Sequence, residues 1–236
     1  MSAALVCFAA NPAILDDGIK VLALEDVSGG TMGIELFDGG PLTKEQKLVY
    51  MPGGKASSSV NVFLVKTAGK TCLIDAGFGN ALKDKRIDPS KIDAVLITHA
   101  HADHVSGLLK ENGAANFSVP VFISKPESDY WLDNKTPNFD LQKNVAKVYA
   151  GRYKTFAFGD TVAPGIVAVD AVEHTPGHTA FLIGSGKTKV LIAGTFYTRR
   201  LCSFRSRTNA PVMIWTEKSR LKRAENLCKR RRIING

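Results

Sequence analysis

The stretch from Ile97 to Gly107 constrains this chain more than any other. It reads Ile-Thr-His-Ala-His-Ala-Asp-His-Val-Ser-Gly, and it holds three of the chain's five histidines within six positions. His99, His101, Asp103 and His104 are the residue types that bind zinc, and they seldom gather by chance on a plain polar loop. The apolar run Ala94-Val95-Leu96-Ile97 leads into them. Such a run suits a strand buried on both faces. The histidines begin where that strand ends, which is where α/β folds place their chemistry. His99 and His101 alternate along an extended backbone, so both rings can point to one side. Asp103 reads as the cap of a helix running on through Leu108 and Leu109.

A second segment carries the remaining histidines: Val172-Glu173-His174-Thr175-Pro176-Gly177-His178-Thr179. Pro176-Gly177 favours a tight turn that lets the backbone pass close to a bound ion, and His178 projects from it. His174 has two readings. It is either a locally satisfied edge-strand residue, the plainer reading and the preferred one, or a hydrogen-bonding partner that orients a ligand.

The rest of the chain alternates short strands with helices. Strands are expected at Ile19–Leu24, Val60–Val65 paired as a hairpin with Cys72–Ile74, Val119–Ser124, Tyr153–Phe158, Ile166–Val172, and a second hairpin of Ala180–Ile183 with Lys189–Ala193. Helical spacing appears at Pro126–Trp131 and at Leu141–Tyr149, where Leu141, Val145 and Val148 share a side. The glycine-rich stretch Ser28–Pro52 reads as a loop over the site. No run approaches the ~20 apolar residues of a membrane-spanning helix. The four cysteines, Cys7, Cys72, Cys202 and Cys228, have neither zinc-knuckle nor redox-pair spacing. The apolar N-terminus, with small residues at Ala9, Ala10 and Ala13, is either the remnant of a signal peptide or a first strand. The former implies a periplasmic or secreted protein, the latter a cytoplasmic one.

These motifs together resemble the metallo-β-lactamase superfamily. His99 to His104 match its H-x-H-x-D-H signature, Thr175 to Thr179 its T-P-G-H-T motif, and Asp75-Ala76-Gly77 its Asp-x-Gly turn. The resemblance implies an α/β fold, an αββα sandwich over residues 19–195, and Zn2+ as cofactor. It implies a first metal site of His99, His101 and His178, and a second that takes Asp103 and His104. Asp75 is implied to support the histidine loop rather than to bind metal. The implied reaction is hydrolysis by metal-bound hydroxide, with Asp103 as the catalytic residue that holds or deprotonates the water. The segment Ser58 to Val65 resembles that of the lactonase-like and periplasmic members, so a small-molecule ester or lactone is the expected substrate. A metallo-nuclease or phosphodiesterase, and a pseudoenzyme with a residual zinc site, are the alternatives.

The resemblance stops near residue 195. Family members end the next strand in Gly-Asp, whose carboxylate bridges two metals, whereas this chain has Gly194-Thr195. No histidine follows His178. A second site left with Asp103 and His104 alone should bind a divalent ion weakly. The charge changes at the same place. Residues 1–195 carry a net −1, and residues 196–236 a net +10. The neutral body argues against a nucleic-acid surface, and only the basic tail suits one. The chain therefore divides into an N-terminal segment of 1–18, a domain of 19–195 incomplete in its C-terminal part, and an atypical tail of 196–236. The tail is a divergent sequence, a binding element, or the product of a changed reading frame. Because ligand loss and the composition shift coincide, the frame change is favoured. Back-translation of Gly194-Thr195-Phe196-Tyr197, read one base earlier, allows Gly-Asp-Ile-Leu-His. The coding DNA is expected to restore Gly-Asp in that frame; a sequence in which no shifted frame does so removes this explanation.

Overall fold

Val62, Phe63, Leu64 and Val65 are all apolar, and successive strand residues must face opposite ways. Val62 and Leu64 join one buried cluster with Leu73, Val95 and Ile97. Phe63 and Val65 join another with Ile74, Leu96 and Phe181. A strand apolar on both faces belongs in the middle of a layered fold. The computed structural model of the protein places it there; it describes residues 12–33, 45, 52–133, 139–172, 174–195 and 212–216.

The first sheet has seven strands in chain order: β1 (Ala13–Ile14), β2 (Lys20–Gly33), β3 (Lys55–Lys66), β4 (Thr71–Ile74), β5 (Ala94–Leu96), β6 (Val121–Ser124) and β7 (Tyr153–Phe156). Strands β1 to β4 are antiparallel neighbours, and β4 to β7 are parallel. The second sheet is antiparallel, in the order β12-β11-β10-β9-β8, from β8 (Thr161–Ala163), β9 (Ile166–Asp170), β10 (Thr179–Ile183), β11 (Thr188–Ile192) and β12 (Val212–Thr216). Phe63, Phe181, Ile183, Val190 and Ile192 fill the space between the sheets. Helices α1 (Asn80–Asp84), α2 (Ala102–Val105), α3 (Lys125–Leu132) and α4 (Asp140–Val148) cover the other face of the first sheet. On α4, Val145 is buried, and Leu141 and Val148 pack beside it, the face expected from their spacing. The fold is α/β with a sheet-rich core. No described helix is long and apolar enough to cross a membrane.

Two expectations change. Gly29, Gly30 and Gly33 lie in β2, not in a loop, because the strand runs on through two register shifts to pair with Lys55–Ser58 of β3. Residues 34–44 and 46–51 of the expected loop lie outside the described residues. The helix after the histidines is also shorter. His101 is the residue before α2, Asp103 sits in its first turn, and a 3-10 turn over Ser106–Leu108 follows. Asp103 therefore does not cap it. From the basic tail, β12 pairs along the whole of β11, across the boundary drawn at Thr195.

The shifts in β2 also turn Asp26 inward. Its carboxylate accepts hydrogen bonds from the backbone N–H of Phe78 at 2.6 Å and of Ala81 at 2.7 Å, fastening the turn that follows Asp75.

Phe63→Ala is expected to cost about 3–5 kcal/mol of stability, since it empties the space between the sheets. Urea unfolding checks this; a loss below about 1 kcal/mol would mean that the second sheet does not close over Phe63.

Candidate metal centre

The ends of parallel strands β4 and β5 carry Asp75 and Thr98, and these two residues build the floor of the site. The Asp75 backbone has a positive φ of 59°. Its carboxylate is buried and accepts from the Thr98 backbone N–H and from the Thr98 hydroxyl, each at 2.8 Å. Its Oδ2 also meets His104 Nδ1 at 2.8 Å. Asp75 thus supports the loop, the role expected of it.

Thr98 passes this order on to His99. A hydroxyl has one proton, and Thr98 gives it to Asp75, so its oxygen must accept at the 3.1 Å contact with His99 Nδ1. That leaves His99 Nε2 with a bare lone pair. The ring is buried, and among the described residues this nitrogen has no hydrogen-bond partner. A buried, unprotonated, unsatisfied imidazole nitrogen is what a metal ligand looks like without its ion.

The other histidines surround it. Ring centroids of His104, His174, His101 and His178 lie 4.0, 4.6, 4.8 and 4.9 Å from that of His99. Nitrogens of His99, His101 and His174 all fall within 4.8 Å of one another, a spacing that can hold a metal ion. His178 arrives from the second loop. Its ring has room because residue 194 is glycine, with φ of +64°; a Cβ there would stand 2.7 Å from His178 Nε2. The two loops are joined directly where the Thr179 N–H donates to the Thr98 carbonyl at 2.9 Å.

Burial, together with the crowd of neighbouring imidazoles, keeps four of the rings neutral. It drives His99 well below its ordinary value, lowers His101, and pushes His178 down to about 4 and His174 to about 3. Neutral imidazole is the form that binds metal. His104 differs. Burial opposes its charge, yet the Asp75 and Asp103 carboxylates outweigh that and push it up to about 10. Its Nε2 faces Thr195 Oγ1 at 3.1 Å and Asp103 Oδ2 at 3.3 Å. Burial also works to raise the Asp103 carboxyl, but His104 beside it holds it below its ordinary value. Of the five residues named from sequence, His99 and His101 come to metal-ligand spacing, and the third member of that group is His174; the His178 ring lies beside that of His99, and His104 pairs with Asp103.

Sequence reasoning missed Glu127, on α3. Its side chain is fully buried. Oε1 accepts from the Ala100 N–H at 2.9 Å and from the Trp131 indole at 2.6 Å. Oε2 accepts from the Thr175 hydroxyl at 2.7 Å and the Gly177 N–H at 2.9 Å. One carboxylate thus ties the residue between His99 and His101 to two residues between His174 and His178. Gly177 permits the approach, since a Cβ there would lie 2.0 Å from the Glu127 nitrogen. Gln142, on α4, fixes the other side of Ala100 by donating to its carbonyl at 2.6 Å. The available signal was Ser124-Lys125-Pro126-Glu127, a helix-start pattern whose Glu ordinarily reaches back to the cap. The Ser124 half forms, accepting from the Glu127 N–H at 3.2 Å, but the carboxylate turns to the loops instead.

The family model described as "Metallo-beta-lactamase superfamily" matches residues 57–202. The exodeoxyribonuclease WalJ of Streptococcus pneumoniae (serotype 2, strain D39) is 28% identical over 152 residues, 60% of this chain and 52% of WalJ, so the chain spans about half the length of that relative. An uncharacterized protein of Mycobacterium leprae (strain TN), ML0493, is 27% identical over 168 residues, 64% of this chain and 73% of its own. Among solved structures, the hydrolase AbOPH "in beta lactamase superfamily" superposes with a TM-score of 0.65 at 26% identity, covering 78% of this chain and 72% of its own. AidC, a dizinc quorum-quenching lactonase, shares the fold with a TM-score of 0.61 at 22% identity, covering 72% and 69%.

Glu127→Ala is expected to leave four donors unsatisfied at about 1–3 kcal/mol for each buried group, and to weaken metal-ion binding at the histidines about 10–100-fold. Urea unfolding and chelator competition measure the two effects. Metal-ion affinity equal to the parent's would show that the loops do not depend on this tie.

Proposed function

The chain belongs to the metallo-beta-lactamase superfamily, and from that premise we propose that it is a zinc-dependent hydrolase of a small-molecule ester or lactone. In this reading His99, His101 and His178 hold the ion, and Asp103 with His104 forms a weakened second site. The observation that carries it is the buried, bare Nε2 of His99, aimed into a cluster of neutral imidazoles drawn from two loops. A bound zinc ion supplies an acidified water and a positive charge toward which the carbonyl oxygen can develop negative charge.

The chain's own residues supply the rest. Asp103, with a side chain 40% exposed, is ionised at neutral pH and can orient the water or take its proton. Asp75 and Thr98 hold His99 in the tautomer that presents Nε2 inward. Glu127 ties the two loops to each other, and Gln142 fixes Ala100 in the first. At the second site Thr195 offers a neutral hydroxyl to His104 where a carboxylate would add charge. Without that charge, and with Asp75 and Asp103 favouring protonated His104, a second ion is held weakly. A net charge of −1 over residues 1–195 supports an uncharged ester or lactone over a polyanion.

The similarity to WalJ and the net +10 of residues 196–236 favour a second reading, a metallo-nuclease. One panel separates the two. Turnover of a chromogenic ester or lactone, abolished in His101→Ala, is expected. Cleavage of DNA or RNA with no ester turnover would replace this reading with the nuclease, and silence in both with zinc bound would leave a pseudoenzyme.

Metal content tests the second site. Zinc titration followed by native mass spectrometry is expected to find one tight ion per chain, and Thr195→Asp is expected to add a second. Two tight ions in the parent would refute the weakened site.

A further inference from the structure

Glu127 and Gln142 fix Ala100, and with it the half of the first loop that carries His99 and His101. The other half carries Asp103 and His104, and its backbone rests on a different support. The Ala76 N–H donates to the His104 carbonyl, and the Gly107 N–H to the Gly77 carbonyl, each at 2.9 Å. The two backbones touch, since a Cβ on Gly107 would collide with the Ala76 carbonyl oxygen and with Gly79. Residues 76–79 are therefore the surface against which α2 and the turn after it are set.

That surface is held in turn by buried Asp26 of β2. Its Oδ2 accepts from the Phe78 N–H at 2.6 Å, and its Oδ1 from the Ala81 N–H at 2.7 Å. Its carbonyl accepts from the Asn80 side chain at 3.4 Å. Gly77, with φ of +60°, makes room for the carboxyl group, and a Cβ there would collide with it. Hydrogen bonds to an ionised carboxylate are about twice as strong as neutral ones.

Resting on the reading that Asp103 orients the water of a zinc hydrolase, we propose that Asp26 is a positioning residue for that reaction. Through residues 76–79 it sets the Asp103–His104 half of the loop against the His99–His101 half. Loss of its carboxylate frees the turn and lets α2 shift, so Asp103 leaves its working distance while His99 and His101 keep theirs. A misplacement of about 1 Å at a reacting group can cost about 100-fold in rate.

Asp26→Asn in the full chain tests this, since it keeps the size but turns an amide N–H toward one of the two backbone donors. Amide hydrogen exchange in the metal-free protein is expected to quicken about tenfold or more at Ala76 and Gly107. It is expected to keep the parent's rate at Thr179, which bonds to the Thr98 carbonyl instead. Zinc affinity, from chelator competition, is expected to stay within about 2-fold of the parent's. The kcat for p-nitrophenyl acetate and dihydrocoumarin is expected to fall about 10–100-fold at unchanged KM. A role in stability alone would preserve kcat per zinc-loaded molecule, as is expected of Phe63→Ala. Exchange unchanged at Ala76 and Gly107, exchange quickened everywhere alike, or an unchanged kcat overturns the proposal. If the parent turns over neither compound, the hydrolase reading fails, and exchange alone decides whether Asp26 holds this half of the loop. Should Asp26→Asn not fold, Asp26→Ser, whose hydroxyl still accepts one of the bonds, is measured in its place. Failure of both to fold makes Asp26 a folding residue and overturns the proposal.

Discussion

The hydrogen bonds between Asp75 and Thr98 are the interaction on which the site depends. They join the ends of β4 and β5, two neighbouring parallel strands. They also decide where the protons lie. Asp75 takes the Thr98 hydroxyl proton, so Thr98 must accept from His99, and His99 must present a bare nitrogen to the interior. The same carboxylate pairs with His104 and favours its protonated form. One buried acid therefore leaves one histidine with a bare inward nitrogen and favours a proton on its neighbour. The left-handed backbone at Asp75, with φ of 59°, is a conformation that Asp tolerates better than most residues. Strain of this kind persists where surrounding structure over-determines it.

Glu127 does for the distance between loops what Asp75 does for their protonation. The histidines come from segments about 70 residues apart, the first carrying only the single-turn helix α2 and the second only turns. A carboxylate that is fully buried must have its lone pairs occupied, and here all the occupants are loop or helix groups bordering the cluster. The two-sheet core supplies the rigidity behind both acids. It anchors β5 on two buried faces and sets β10 so that Thr179 can pair with Thr98.

Much of this was legible in the sequence, for reasons of spacing. His99 and His101 alternate at a strand end, His178 leaves a Pro-Gly turn, and the two-sided apolar character of Val62 to Val65 and Val95 to Ile97 announces buried strands. Local patterns are readable because their physics is local. Glu127 and Gln142 were not readable, since each looks like any helix residue until tertiary packing buries it or aims it at Ala100. His174 was undervalued for a related reason. Its neighbour in space is His101, 73 positions earlier. The glycines of β2 misled because Gly29 and Gly30 mark register shifts within a strand rather than its end. Asp103 has the chemistry of a helix cap, but the turn begins two residues earlier, leaving its carboxylate for His104.

The pairing of β12 with β11 has a consequence for how the chain behaves in solution. Strand β11 is laddered on one side by β10 and on the other by Val212–Thr216, which follow the point where the family likeness ends. A sheet edge that loses its outer strand shows a row of open N–H and C=O groups to any other chain it meets. Those few residues make β12 the outer strand of the second sheet, so the open edge lies on them and not on β11. A shortened chain ending at Thr195 keeps every histidine, yet it moves that open edge inward to β11. The atypical segment thus decides which strand carries the exposed edge, a matter separate from chemistry at the histidine cluster.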